Sequence, residues 1–401
     1  MKFFKITAFI ICLIAATSFC KPVRTGLDNI DSYRHIFQNK RIGIIANHTA
    51  YNNNGQFILD IFRQMPDVKI TAVFGPEHGF KGDAQDGQKI SDSLSDCNIP
   101  VYSLYGKNKQ PTPEMLENVD VLVFDIQDIG SRYYTYIYTM ALAMESAAEN
   151  GKTFVVLDRP NPINAKTVAG NVLDVNFATF VGLYPIATRH AMTIGELAQM
   201  FNSQGWLKNS AKANLIVVPM TNYKRSYWYD QTGLNFIPTS PNMTSLQAAA
   251  MYPGICLLEG TNISEGRGTD NPFLLFGAPW IDSKQLTAKL NKQRLPGIKF
   301  KQTEFTPKFS KYENKTCFGS QIIIKNRNAL DSFYTGVAII NTIAQMYPEN
   351  FQWKEKHFDR LCGTDNIRLV VSQRKDLKEL KKIWKKEIKD FTKIRKNYLL
   401  Y

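Results

Sequence analysis

A chain of 401 residues with 44% hydrophobic and 12% aromatic side chains is long and apolar enough for a sizeable core. This excludes a disordered protein and leaves room for two or three domains. The formal net charge of +14 is unevenly placed, since residues 351–401 hold 15 Lys/Arg against 7 Asp/Glu.

The chain opens on a processing signal. Lys2 and Lys5 precede an uncharged run from Thr7 to Phe19, too short for a membrane span and suited to a signal h-region. Ala16-Thr17-Ser18 offers a small-residue cleavage site, and Cys20 offers lipid attachment as a second route, so residues 1–20 read as a leader and the mature protein as exported. Export removes nucleic acid from its partners. Beyond the leader, Cys97, Cys256, Cys317 and Cys362 are widely spaced and form no CxxC pair, which argues against a structural zinc site. One disulfide stays open, and Cys256 reads as core.

Next come alternating β-type and α-type segments. Strand runs "RIGIIAN" (41–47), "KITAVFG" (69–75), "PVYSLYG" (100–106), "DVLVFDIQD" (120–128) and "TFVVLD" (153–158) are interleaved with helical "FILDIFRQM" (57–65) and a longer helix from about Tyr134 to Glu149. Short β-branched runs between helices predict an α/β fold with a mostly parallel sheet covered on both faces. No G-x-G-x-x-G follows the first strand, so a dinucleotide cofactor is not expected. Farther on, Thr193 and Glu196 stand in capping-box spacing before a helix over 193–205, and a mainly irregular region extends to about Trp280. A helix from Asp282 to Lys292, strands near "IKFKQTEF" and "SQIIIK", a helix from about Leu330 to Tyr347 and a basic terminal helix then predict a smaller α+β domain. The expected division is 21–280 and 281–401. In the terminal helix, Leu377, Leu380, Trp384, Ile388 and Phe391 mark the buried stripe, and lysines mark either a solvated face or one that attracts an anionic cell-surface polymer.

The chemistry gathers where strands end. In open parallel sheets ligands bind beyond the carboxyl ends of the strands, and there the sequence places "NHTA", "PEHGFKGD", "QDIGSRYY" and "RPNPI". Glu77-His78, between Pro76 and Gly79, suits a general acid held rigidly at a sheet rim. Asp128, Arg132 and Tyr133 follow the next buried strand, with Tyr133 and Tyr134 able to stack on a sugar face; Asp125 reads equally as support for the strand end. Asp158-Arg159 reads either as a ligand contact or as an internal salt bridge. Arg189 and His190 precede the capped helix, whose N-terminus would attract an anion. "LLEGTNISEGRGTDNP" adds Glu259, Glu265, Arg267 and Asp270, with no GK[ST], GxSxG or HExxH nearby.

Taken together, "GPEHGFKGD", "VFDIQDIGSRYYTY", "LDRPNPI", "TRHAMTIGELA", "TSPNM", "YPGICLLEGTNISEGRGTDNPFLLFGAPW" and terminal "YLLY" resemble the NamZ-type exo-β-N-acetylmuramidases, in order and over nearly the whole mature chain. The resemblance implies a Rossmann-like N-terminal domain, a smaller C-terminal domain and a cleft between them. It also implies exo-acting release of β-1,4-linked N-acetylmuramic acid from non-reducing ends of peptidoglycan fragments, without a cofactor. It puts the motif glutamate on Glu77, with His78 beside it, and Glu259 in "EGTN"; Asp128 is the candidate to orient a 2-acetamido nucleophile. Arg132, Arg189 and Arg267 become candidates for the lactyl carboxylate, with Arg189 first, because an arginine fork suits a carboxylate. Tyr133, Arg159, His190 and Asn242 of "TSPNM" complete the expected substrate-binding set. One departure is "GDAQDGQ", where an acidic residue is expected close to Gln88. Two other readings compete: a zinc-dependent cell-wall amidase built from His78, His190, Asp83 and Asp128, and a non-catalytic peptidoglycan-binding protein.

Overall fold

The computed structural model describes residues 21–83, 93–94 and 99–401. The leader with Cys20, together with Gln88 and Cys97, lies outside the described residues.

A seven-stranded sheet forms the frame. Its strands are β1 (Lys40–Ala46), β2 (Val68–Gly75), β3 (Ser93–Leu94), β4 (Pro100–Ser103), β5 (Val121–Asp125), β6 (Thr153–Leu157) and, after the antiparallel pair β7 (Ala169–Val172) and β8 (Ala187–Arg189), β9 (Asn214–Val218). The order is β3-β4-β2-β1-β5-β6-β9, parallel throughout except where β3 meets β4. Strand alternation supplies two cores. Val121 and Val123 face one apolar cluster with Ile42, Ile44 and Leu157, while Leu122 and Phe124 face the other with Phe154 and Val156. Helix α1 (Ile58–Arg63) packs on the first face; α3 (Tyr136–Glu149) and α4 (Ile194–Ser203) pack on the second, and the four-residue α2 (Pro113–Leu116) precedes β5. Strand β1 lies between β2, its successor, and β5, to which the chain returns after β4, so the order reverses at β1 and the loops after β2 and β5 diverge at the sheet's carboxyl edge to open a crevice.

The predicted capping box is present: Thr193 Oγ1 accepts from Glu196 N, and the Glu196 carboxylate accepts from Thr193 N. Helix α5 (Leu246–Ile255) departs from the irregular region expected here. Pro253 and Gly254 are residues that ordinarily break a helix, yet a Ser245 cap and complete burial of Ala248 to Ile255 carry the helix through them.

Beyond α5 a three-stranded antiparallel sheet, ordered β10-β12-β11, is built from β10 (Leu275–Ala278), β11 (Ile298–Phe305) and β12 (Cys317–Ile324). Helices α6 (Ser283–Lys292), α7 (Ser332–Met346), α8 (Glu355–Cys362), α9 (Asn366–Ser372) and α10 (Lys378–Arg395) surround it. Alpha-five crosses α7 at two glycines: a Cβ on Gly336 would lie 2.1 Å from the Gly254 carbonyl oxygen. The lysine face of α10 is solvent-exposed, and Leu380, Trp384 and Phe391 are buried as their spacing predicts. Cys256, Cys317 and Cys362 are buried free thiols. Among the described residues no helix is long and apolar enough to cross a membrane.

Candidate active site

A cavity of about 630 Å³ opens at the carboxyl edge of the large sheet and is closed from the other side by the turn after α5 and by α8. That size suits a small ligand.

Glu77 forms one wall. Strand β2 ends at Gly75, where a Cβ would lie 2.7 Å from the Phe80 amide nitrogen, and Gly79 N bonds back to Pro76 O, so the chain reverses at once. His78 lies inside this turn at φ +69°, an uncommon backbone for a residue with a side chain. Glu77 and His78 are each only 7% exposed, yet both line the cavity. Thr135 Oγ1 donates to Glu77 Oε2 at 2.6 Å. Thr135 is the N-cap residue of α3, but its hydroxyl makes no cap bond because it is spent on Glu77. No ion pair reaches Glu77 from the described residues.

Glu259 faces the cavity from the opposite side in a different electrostatic setting. Arg267 donates Nη2 and Nε to Glu259 Oε1 at 2.7 and 3.1 Å, and His357 Nε2 lies 3.9 Å from Oε2. Burial alone would raise the Glu259 carboxyl, but Arg267, His357 and Lys311 outweigh it and hold it down to about 2. Glu259 is therefore ionised across the neutral range. Arg267 also lies 3.5 Å from Glu265, which Lys311 holds at 3.0 Å.

Aromatic rings join the two walls. Tyr133, Tyr134, Tyr136, Tyr252 and Phe273 all line the cavity. They pack edge-on or tilted: Tyr134 against Tyr136 at 4.9 Å, Tyr133 against Tyr252 at 5.6 Å, and Tyr252 against Phe273 at 4.8 Å. Tyr133 Oη donates to Pro253 O and Tyr136 Oη to Thr239 O, so each ring is pinned at its polar tip. Asn242 lines the same cavity.

Thus seven of the residues singled out by sequence meet here: Glu77, His78, Tyr133, Tyr134, Asn242, Glu259 and Arg267. Five others do not line it, and each has a structural reason. Arg132 is fully buried and gives its guanidinium to the carbonyls of Asn171, Ile186, Leu361 and Cys362. Arg189 is 2% exposed, donates to Ile163 O and stacks 5.5 Å from the Trp228 ring; burial pushes its guanidinium down to about 10. Arg159 forms a two-point ion pair with Asp125, the internal salt bridge that the sequence left open, with Asp125 rather than Asp158 as partner. Asp128 accepts from Gly130 N and stands 3.6 Å from His190 Nε2, and both side chains are buried outside the cavity lining. Among the described residues no three His, Cys, Asp or Glu side chains cluster to hold a metal, and Asp83 is exposed.

Several cavity residues escaped the sequence reading. Thr135 was hidden inside an aromatic run, and Tyr252 inside "YPG". His357 and Arg360, from α8, lay in the basic C-terminal stretch ahead of the terminal helix, where no motif marked them. Lys109 and Phe180 came from stretches without pattern.

Family models, a curated relative and solved structures match the chain over most of its length. The N-terminal model of the exo-β-N-acetylmuramidase NamZ family matches residues 42–247, and its C-terminal model matches residues 250–401. The peptidoglycan β-N-acetylmuramidase NamZ of Bacillus subtilis (strain 168) is 46% identical over 385 residues, covering 95% of this chain and 92% of that protein. Crystal structures of two DUF1343 family proteins from Bacteroides fragilis NCTC 9343 are similar. One is 36% identical with a TM-score of 0.87, covering 95% of this chain and 99% of that one. The other is 32% identical with a TM-score of 0.75, covering 94% and 99%.

Proposed function

This chain belongs to the exo-β-N-acetylmuramidase NamZ family, and from that premise we propose how its cavity works. The protein is an exo-acting glycoside hydrolase that releases N-acetylmuramic acid from non-reducing ends of peptidoglycan fragments. Glycoside hydrolysis needs a proton for the leaving oxygen and negative charge near the anomeric carbon. One observation carries the assignment: two glutamates line a single cavity, and among the described residues only Glu259 is ion-paired.

Glu259, held ionised by Arg267, has no proton to give at neutral pH. It is suited to face the developing oxocarbenium charge, as nucleophile, as base toward a water, or as the orienter of a neighbouring group. Glu77 accepts the hydroxyl of Thr135 and has no ion-pair partner among the described residues. We assign Glu77 as the general acid, with Thr135 fixing the orientation of its carboxyl and His78 beside it at the turn. Pairs of carboxyl groups whose surroundings differ in this way divide the acid and base roles between them. The tyrosine wall supplies flat apolar surface for a pyranose ring.

The leader read in residues 1–20 and a peptidoglycan substrate support an exported enzyme, with lipid attachment at Cys20 as one route of retention. The test of the chemistry is Glu77→Gln, which keeps shape and removes the proton. Release of N-acetylmuramic acid from a muramic acid–glucosamine disaccharide should fall about 10²–10⁴-fold. A rate within a few-fold of wild type would end the assignment.

A further inference from the structure

Muramic acid differs from glucosamine by an O3-lactyl carboxylate, so a muramidase cleft needs a cation placed for that acid. Of the arginines expected to supply it, Arg132 and Arg189 are buried outside the cavity and Arg267 is committed to Glu259 and Glu265. Another guanidinium does line the cavity. Arg360, on α8, is solvent-exposed at the cavity wall and has no carboxylate partner among the described residues. We propose that Arg360 determines substrate specificity by binding the lactyl carboxylate of the non-reducing-end sugar. The proposal rests on the muramidase reading above.

The side chain is already oriented for this. Arg360 Nη2 donates to His357 Nδ1 at 2.6 Å, a contact made one helical turn apart on the same face of α8. An arginine only donates, so Nδ1 is the acceptor and the imidazole proton sits on Nε2, the nitrogen 3.9 Å from Glu259 Oε2. One of five N–H groups is used, and the four that remain suffice for a two-point fork on a carboxylate. The anchor therefore also links recognition of the sugar's acid to the histidine beside the second glutamate.

Lys109 is the competing cation at the cavity. It is exposed, lies 4.6 Å from the Phe180 ring, and offers a point charge rather than a planar fork.

The test uses the full-length enzyme and two β-muramides, one with the lactyl acid free and one with it capped as the methyl ester. Wild type should prefer the free acid by about 10²-fold or more in kcat/KM. Arg360→Met should lose about 10²-fold on the free acid and far less on the ester, so the preference collapses. Arg360→Lys should restore part of it. Arg360 is exposed, and an unchanged unfolding midpoint in Arg360→Met would assign the loss to recognition. Arg360→Met that keeps the wild-type preference would overturn the proposal, as would a collapse produced by Lys109→Met instead. Equal turnover of both muramides by wild type would overturn it and leave the muramidase standing. Turnover of neither would remove the muramidase reading and the clamp with it.

Discussion

At the scale of single residues, the two glutamates differ by what stands beside them. The Glu259 carboxyl lies below its ordinary value because Arg267 and its neighbours overcome the penalty of burial. A depressed carboxyl contributes stability that is present above the ordinary value of 4.5 and lost as pH falls toward about 2. Arg267→Met removes the strongest of these partners and lets burial act, so that loss should begin at higher pH. The acid limb of kcat should likewise move up by about one unit or more in the variant. A pH–rate profile identical to wild type would show that Arg267 does not hold the charge. The arginines also mark how far sequence reading reaches. Arg132, Arg189 and Arg267 all lie in glycine- or histidine-bearing motifs near strand or loop ends, and nothing local separates them. What separates them is which distant carbonyls lack a donor: Arg132 is claimed by residues 171, 186, 361 and 362. That information exists only after folding.

At the scale of elements, the parallel strands were legible because both faces of each are buried, which leaves near-continuous apolar runs. Helix α4 was legible from Thr193 and Glu196 alone. Helix α5 was not, because Pro253 and Gly254 carry a turn signal that burial overrides. The glycine has a second purpose. At the α5–α7 crossing the two backbones touch, with the Gly254 carbonyl filling the space that a Gly336 side chain would occupy. Gly336→Ala must push the helices apart, at a cost of about 3 kcal/mol. The turn carrying Glu259 directly follows α5, so kcat should fall with the urea midpoint. A variant with wild-type midpoint and activity would show that the crossing can relax.

At the scale of the whole molecule, Tyr401 ties the C-terminal segment back to the large sheet. Tyr401 Oη donates to Asp158 Oδ2 and accepts from Met220 N, while Leu400 N bonds to the capping glutamate, Glu196. Burial raises the Asp158 carboxyl to about 7 against the pull of Tyr401, Gly195 and Thr193. A raised carboxyl contributes stability present below its ordinary value and lost as pH rises through about 7. Tyr401→Phe removes a donor that the ionised carboxylate uses most, so destabilisation of about 1–3 kcal/mol should be larger at pH 8 than at pH 5. Urea unfolding at the two pH values checks this, and a pH-independent difference would contradict it. Arg132 has a consequence of another kind. Its guanidinium holds carbonyls from β7 and the chain before β8 on one side and from the end of α8 on the other, with no solvent to take its place. The two jaws of the cleft are thus soldered at their root. A clamshell stroke would have to break these four buried donations at once, so the root of the cleft resists such a motion while a glycan enters and a sugar leaves.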